Sequence, residues 1–140
     1  MSELALEDLK PNENGDGSLC GAFEFKSKEV TINLDRDGEP AEQNLALAKK
    51  FLTNLEKYEK AALEKLYKDC FSMFNDDWRD EEEPRLNKEQ FLARFTLTHI
   101  WFLSTDSVDF YYDDDGMFGN HSMIPQVFDG ETFEYVQMYG

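Results

Sequence analysis

"TLTHIWFLSTDSVDFYYDDDGMFGNHSMIPQVFDGETFEYVQMYG", residues 96–140, decides the fold. The stretch 96–104 is apolar at almost every position, the pattern of a strand near the middle of a sheet and covered on both faces. After the polar break at 105–107, Val108, Phe110 and Tyr112 alternate with Asp109, Tyr111 and Asp113, which is period two. The segment 122–129 is a further strand, and Pro125 marks it as an edge or a bulged one because proline cannot donate to a ladder. Asp129-Gly130 is a hairpin signal, and 131–140 supplies the last strand.

Working back toward the N-terminus, "AFEFKSKEVTINLD" (22–35) has period two on either side of a short polar break and reads as a hairpin. Pairing Phe25 with Val30 and Phe23 with Ile32 would put all the apolar side chains on one face. Residues 11–21 read as a loop, and 1–21 as a loop or partly disordered lead-in. Between hairpin and meander, 40–74 carries apolar residues at helical spacing: Leu45, Ala48, Leu52 and Leu55, then Tyr58, Ala62, Leu66, Cys70 and Phe74. The run is long for one globular helix, so two helices with a break near Thr53–Lys57 are expected. Asn87 then caps a short helix, with Glu89 and Gln90 in its first turn. The sum is a single α+β domain over 1–140. It has an N-terminal β-hairpin, two to three helices, and a C-terminal antiparallel meander of about four strands with helices packed on the sheet.

Charge narrows the function classes. Thirty acids against fourteen bases leave a net charge of −16, which repels nucleic-acid phosphates and anionic membranes and favours a basic partner. A 41% hydrophobic fraction excludes a disordered chain. No stretch is long and apolar enough to span a bilayer, the N-terminus does not have the pattern of a secretory signal, and Cys20 and Cys70 sit in no metal-ligand spacing, so a reducing cytoplasm is the expected compartment.

Two segments are candidates for function. In 75–84, Asp76, Asp77, Glu81, Glu82 and Glu83 surround Trp78 and Arg79, and Trp and Arg are frequent interface anchors; a plain solvated acidic loop is the alternative. In 110–122, Asp113, Asp114, Asp115 and His121 are types that can hold a divalent ion, but calcium-loop spacing fails and no zinc spacing occurs. Asp115-Gly116 suits a tight turn, so Gly116, Phe118, Gly119 and His121 are expected to shape a structural turn, with His121 holding it by hydrogen bonds. No Ser-His-Asp or Cys-His arrangement around a nucleophile can be assembled; Cys70 and His99 fall on packing positions. Neither a cofactor nor a metal is expected.

The stretch 75–140 resembles a bacterial family of uncharacterised domains, domain of unknown function twenty-two sixty-two. The resemblance lies in "NDDW", in "LNKEQFLARFTLTHI" and above all in "VDFYYDDDGMFGNHSMI", where Asp115, Gly116, Phe118, Gly119, His121 and Ile124 stand at the family's positions. Asn120 stands directly before His121, and family members often carry an aromatic where Phe118 stands. The resemblance implies no catalytic role. It is associated more loosely with small cytoplasmic proteins encoded near toxin genes. The expected function is therefore an immunity protein that binds and neutralises a cognate, basic, nuclease-like toxin domain. Its partner-binding residues would be those of the acidic loop or Asp113, Asp114 and Asp115. Two alternatives stand beside it: a metal-binding protein or enzyme centred on Asp113, Asp115 and His121, and an adaptor or DNA-mimicking inhibitor.

Overall fold

The computed structural model describes residues 10–11, 19–34, 41–104 and 106–139. Among the described residues, seven strands form one sheet in chain order: β1 (Lys10–Pro11), β2 (Leu19–Phe25), β3 (Lys28–Leu34), β4 (Thr96–Phe102), β5 (Val108–Asp113), β6 (Ser122–Val127) and β7 (Phe133–Tyr139). Helices α1 (Ala41–Thr53), α2 (Leu55–Met73) and α3 (Lys88–Ala93) lie between β3 and β4. The α+β class, the hairpin and the C-terminal meander are as expected. The break between α1 and α2 falls at Asn54, inside the predicted interval.

The sheet departs from the sequence reading in several places. The sheet is mixed, because β4 runs parallel to β3. Two parallel neighbours require a long crossover, and the helical segment is that crossover. Leu19–Gly21, read as loop, belongs to β2, and Lys10–Pro11 pairs with it; the rest of the lead-in, and Pro40, lie outside the described residues. The hairpin register is two residues tighter than predicted: Phe25 faces Lys28 and Phe23 faces Val30. Lys26 and Ser27 both take positive φ (52° and 66°), which makes a two-residue turn whose twist matches the strands. A shift of two preserves side-chain parity, so the apolar face survives.

β4 is central, as predicted, but its second face is only partly covered. Leu97, Ile100 and Phe102 are buried against the helices, whereas His99 on the other face is exposed and Trp101 half-buried. Of the two expectations for the Pro125 strand, an edge or a bulge, the edge fails and an irregular pairing is found. β6 lies between β5 and β7, and its register shifts between Gln126 and Val127. Its ladder with β5 holds only Val108 opposite Val127 and Asp109 opposite Gln126. Pro125 follows the point where the two strands part, where its missing N–H costs no bond to β5.

The helix-facing side of the sheet and the inner faces of the helices make one core. Phe51 stacks on Tyr58 with centroids 3.9 Å apart and meets Phe102 and Phe110 edge-on. A second run of rings passes from Tyr112 through Phe95, Phe91 and Phe74 to Phe118. Each fully buried Phe contributes roughly 1.5–3 kcal/mol by leaving water, so this chain of rings anchors the turn after β5 to α2 and α3. Glu59, buried on α2, accepts from Lys26 Nζ (2.5 Å) and from Tyr112 Oη (3.1 Å), which ties the hairpin tip to β5 across the helix. Burial and the Glu59 carboxyl beside it hold the Tyr112 phenol well above its usual range.

Candidate functional site

The end of α2 does not stop as a loop. Phe74–Trp78 continues it as a π-helical turn closed by Arg79 N–H donating to Phe74 O (2.7 Å). A π turn admits one more residue per turn than an α turn, and such turns recur at functional sites. Asp76, Asp77 and Trp78, predicted in an acidic loop, therefore stand on a helical extension. The chain after it is held by Asn75, which is 3% exposed. Its amide donates to Leu86 O and accepts from Leu86 N–H, both at 3.0 Å. The Asn75 carbonyl takes Arg79 Nε (3.2 Å) and an Arg85 Nη (3.4 Å). Arg79 turns inward onto the backbone of Asp80 and Glu83, and Arg85 pairs with Asp76 at 2.7 Å. Glu81, Glu82 and Glu83 are exposed on the loop so braced.

The second candidate segment is a run of tight turns between β5 and β6. Asp115 and Gly116 both have positive φ (57° and 76°), as does Gly119 (64°). Successive bonds run from Met117 N–H to Asp114 O, Gly119 N–H to Gly116 O and His121 N–H to Phe118 O, at 3.1–3.2 Å. His121 Nδ1 lies 3.2 Å from Phe118 O. Asp113 accepts from Asp115 N–H (3.2 Å), and Arg94 of the α3 cap grips the Asp115 carboxylate and carbonyl, each at 3.2 Å.

The three aspartates do not form one acidic patch. Asp113 and Asp115 are exposed, but Asp114 is only 6% exposed and cannot present its carboxylate at the surface. Adjacent residues at a strand end point to opposite sides, which turns the middle one in. Its Oδ1 accepts from Gly116 N–H (3.1 Å), while its buried Oδ2 has no partner. Burial pushes the Asp114 carboxyl above the usual carboxylate range; the Gly116 amide draws it back and the neighbouring Asp113 adds to the rise. Among the described residues, no group of three or more His, Cys, Asp or Glu side chains is placed to share a metal ion.

Tertiary structure brings the two segments together. The Trp78 ring meets Phe118 edge-on at 5.7 Å and His121 at 5.3 Å, and its Cζ3 lies 4.0 Å from where a Cβ on Gly119 would be. Phe118 is fully buried beneath it and Trp78 remains 36% exposed. The result is one surface: a tryptophan seated on a glycine turn, with Asp76 and Asp77 on its own helical turn and Asp113 and Asp115 on the turn below. Sequence reasoning missed Asn75, Arg79 and Arg94 as the residues that fix this surface. Arg94 and Asp115 are separated by 21 positions, and no local pattern links them.

Asp109, which alternates with the apolar positions of β5, is 6% exposed, and its Oδ1 is buried without a partner. Burial raises its carboxyl above the usual range, partly offset by the Gln126 amide. Cys70 is buried on α2 and its thiol is pushed up to about 12, chiefly by burial; Cys20 is half-buried, and neither is in a disulfide. No helix among the described residues is long and apolar enough to cross a membrane.

Searches of curated proteins and of solved structures returned no match. The family described as "uncharacterized protein conserved in bacteria (DUF2262)" matches residues 8–137, a span that holds the helical crossover, the Trp78 surface and all but the last strand in full. With that span matched nearly end to end, the chain belongs to the DUF2262 family of bacterial proteins.

Proposed function

We propose that the protein is an acidic, cytoplasmic binding protein that occupies and blocks a basic protein partner, in the manner of an immunity protein neutralising its cognate toxin domain. The observation that carries this reading is the seating of Trp78 on the Gly119 turn. Two segments forty positions apart become one rigid, acid-rimmed aromatic surface. A tryptophan already held by Phe118 and His121 loses little rotamer freedom on binding, so more of its contact energy appears as affinity. The charge of −16 would steer a basic domain toward the protein and repel phosphate backbones and anionic bilayers. Inhibition would be steric and electrostatic: the bound protein covers the partner's basic cleft, and no chemistry is asked of its own residues.

The test is growth of cells that express the C-terminal domain of the product encoded immediately upstream, with and without this protein. The reading expects a toxic domain, growth restored by the wild-type chain, and no rescue by Trp78→Ala. Association measured with purified proteins should slow steeply as salt rises. A harmless domain, or rescue that survives Trp78→Ala with a salt-insensitive on-rate, would overturn it.

A further inference from the structure

The two edges of the sheet are built differently. One edge is β1, two residues long and ending in Pro11, which leaves little backbone for another strand to pair with. The other is β7, seven residues long, with no proline, no lysine or arginine, and Glu134 as its single charge. Sheet edges are ordinarily blunted by the very residues that β7 lacks. Among the described residues, no strand pairs with its outer side. Of the five large apolar side chains left exposed among those residues, Phe128, Tyr135, Met138 and Tyr139 belong to the β6–β7 hairpin, so uncovered apolar surface gathers at this edge. On the helix side, a groove of about 590 Å³, lined in part by Ala61, Glu64, Lys68, Thr132 and Phe133, separates α2 from the start of the strand.

Pro125 fixes which way the β7 backbone points. It stands opposite Val136 and has no N–H, so the two cannot exchange a pair of ladder bonds. Val136 and, two residues on, Met138 therefore turn their N–H and C=O groups outward, away from β6. Side chains alternate: Tyr135, Gln137 and Tyr139 share one face of the sheet, Val136 and Met138 the other. We propose that β7 is a dimerisation edge, on which a second copy of this chain adds its own β7 antiparallel about a two-fold axis at Gln137, making one continuous sheet. The strand is self-complementary in that register. Tyr135 faces Tyr139 of the second copy, Val136 faces Met138 of the second copy with ladder bonds exchanged, and Gln137 faces its own counterpart. The two Glu134 carboxylates fall at opposite ends of the pair, so like charges do not meet. Tyr135 and Tyr139 are 54% and 65% exposed. At about 200 Å² per tyrosine, the exposed parts of all four bring about 500 Å² to the contact; Met138 and the strand backbones raise it toward the roughly 1,000 Å² at the lower limit of a specific interface. A contact of that size is weak and depends on concentration. The dimer uses neither Trp78 nor the acidic segments, so it stands apart from the preceding reading.

Sedimentation of the full chain from micromolar to millimolar concentration is the first measurement. Monomer should give way to dimer with no larger species, because pairing consumes the one long edge. Each copy carries −16, so raising salt screens their repulsion and should tighten the dimer severalfold, the reverse of the salt effect expected with a basic partner. Tyr135→Lys, at an exposed position, should weaken the dimer at least tenfold, although it moves the net charge from −16 to −15 and so lowers the repulsion. Thermal unfolding at a concentration where both proteins are monomeric verifies that this variant is folded. Oxidative cross-linking reads the register, in a Cys20→Ser background with Cys70 protected by burial. Gln137→Cys should cross-link to its counterpart, because directly opposite residues that exchange no ladder bonds bring their Cα atoms to about 4.5 Å, within disulfide reach. Glu134→Cys, about 20 Å from its counterpart in this register, should not. A monomer at every concentration, a dimer loosened by salt, indifference to Tyr135→Lys, or cross-linking at 134 and not at 137 would overturn the proposal. Each of those results leaves the growth-rescue test of the Trp78 surface untouched.

Discussion

Replacing Asn75 with Ala tests how the acidic segment is held in place. The substitution removes both bonds between the Asn75 amide and the Leu86 backbone, each 3.0 Å long, and leaves the main-chain bonds to Arg79 and Arg85 intact. A net contribution of about 1 kcal/mol per hydrogen bond gives a loss of about 2 kcal/mol. Leu86 is half-exposed, so water can reach its freed groups and the full penalty for burying them unpaired does not apply. For a domain of this length an unfolding entropy of roughly 0.3 kcal/mol per kelvin converts the loss into a Tm about 7 °C lower. Urea and thermal unfolding of the variant measure it, with Glu81→Ala as the exposed control expected to change stability by less than about 0.5 kcal/mol. The fluorescence of Trp78 should also shift in the folded variant, because the turn that carries it is no longer clipped to residue 86. A loss below about 0.5 kcal/mol, equal to the control, would refute the claim that Asn75 braces the segment.

Gly116→Ala and Gly119→Ala form a matched pair. Both glycines have positive φ, and neither would meet an atom closer than 4.0 Å, so each should cost about 1–2 kcal/mol in urea unfolding; a much larger loss at Gly119 would mean that Trp78 sits tighter on the turn than the geometry implies. Asp114→Asn should raise stability at pH 7 by an amount on the order of 1 kcal/mol, since a neutral amide can keep the Gly116 bond without burying a charge. The sign follows from linkage. A carboxyl whose folded pKa is raised keeps its full stability below the unfolded value and loses it as pH climbs through the folded one, so the advantage of the variant should vanish near pH 3. An advantage that persists at pH 3 would contradict this. Cys70, with its thiol at about 12, should resist alkylation at pH 8 until the protein is unfolded, because only about one part in ten thousand is thiolate; Cys20 should label first, as peptide mass mapping would show.

Much of the architecture was legible because it follows from local rules. The two-residue period of 108–113 and 22–34, the helical period of α1 and α2, and the Asn87 cap, realised as a reciprocal box with Gln90, all depend on neighbours within one turn or one strand. The register of the first hairpin was missed because the turn at Lys26–Ser27 contains neither Gly nor Asn, although both residues take positive φ. The partial exposure of the second face of β4, at His99, was missed because Trp101 counts as apolar in a pattern while it stands on the side opposite the helices.

The sequence by itself determined that this chain is an acidic α+β domain with an aromatic core and a glycine turn after the strand at 108–113, since burial of periodic apolar groups and turn chemistry are written locally. Tertiary structure alone decided which acids are surface and which are not. It turned Asp114 and Asp109 inward, paired Asp115 with Arg94 and Asp76 with Arg85, and set Trp78 over Gly119. Those outcomes depend on strands and helix ends that meet across long stretches of chain. The free energy of a carboxylate is fixed by what surrounds it in space, and sequence neighbours alone do not specify that.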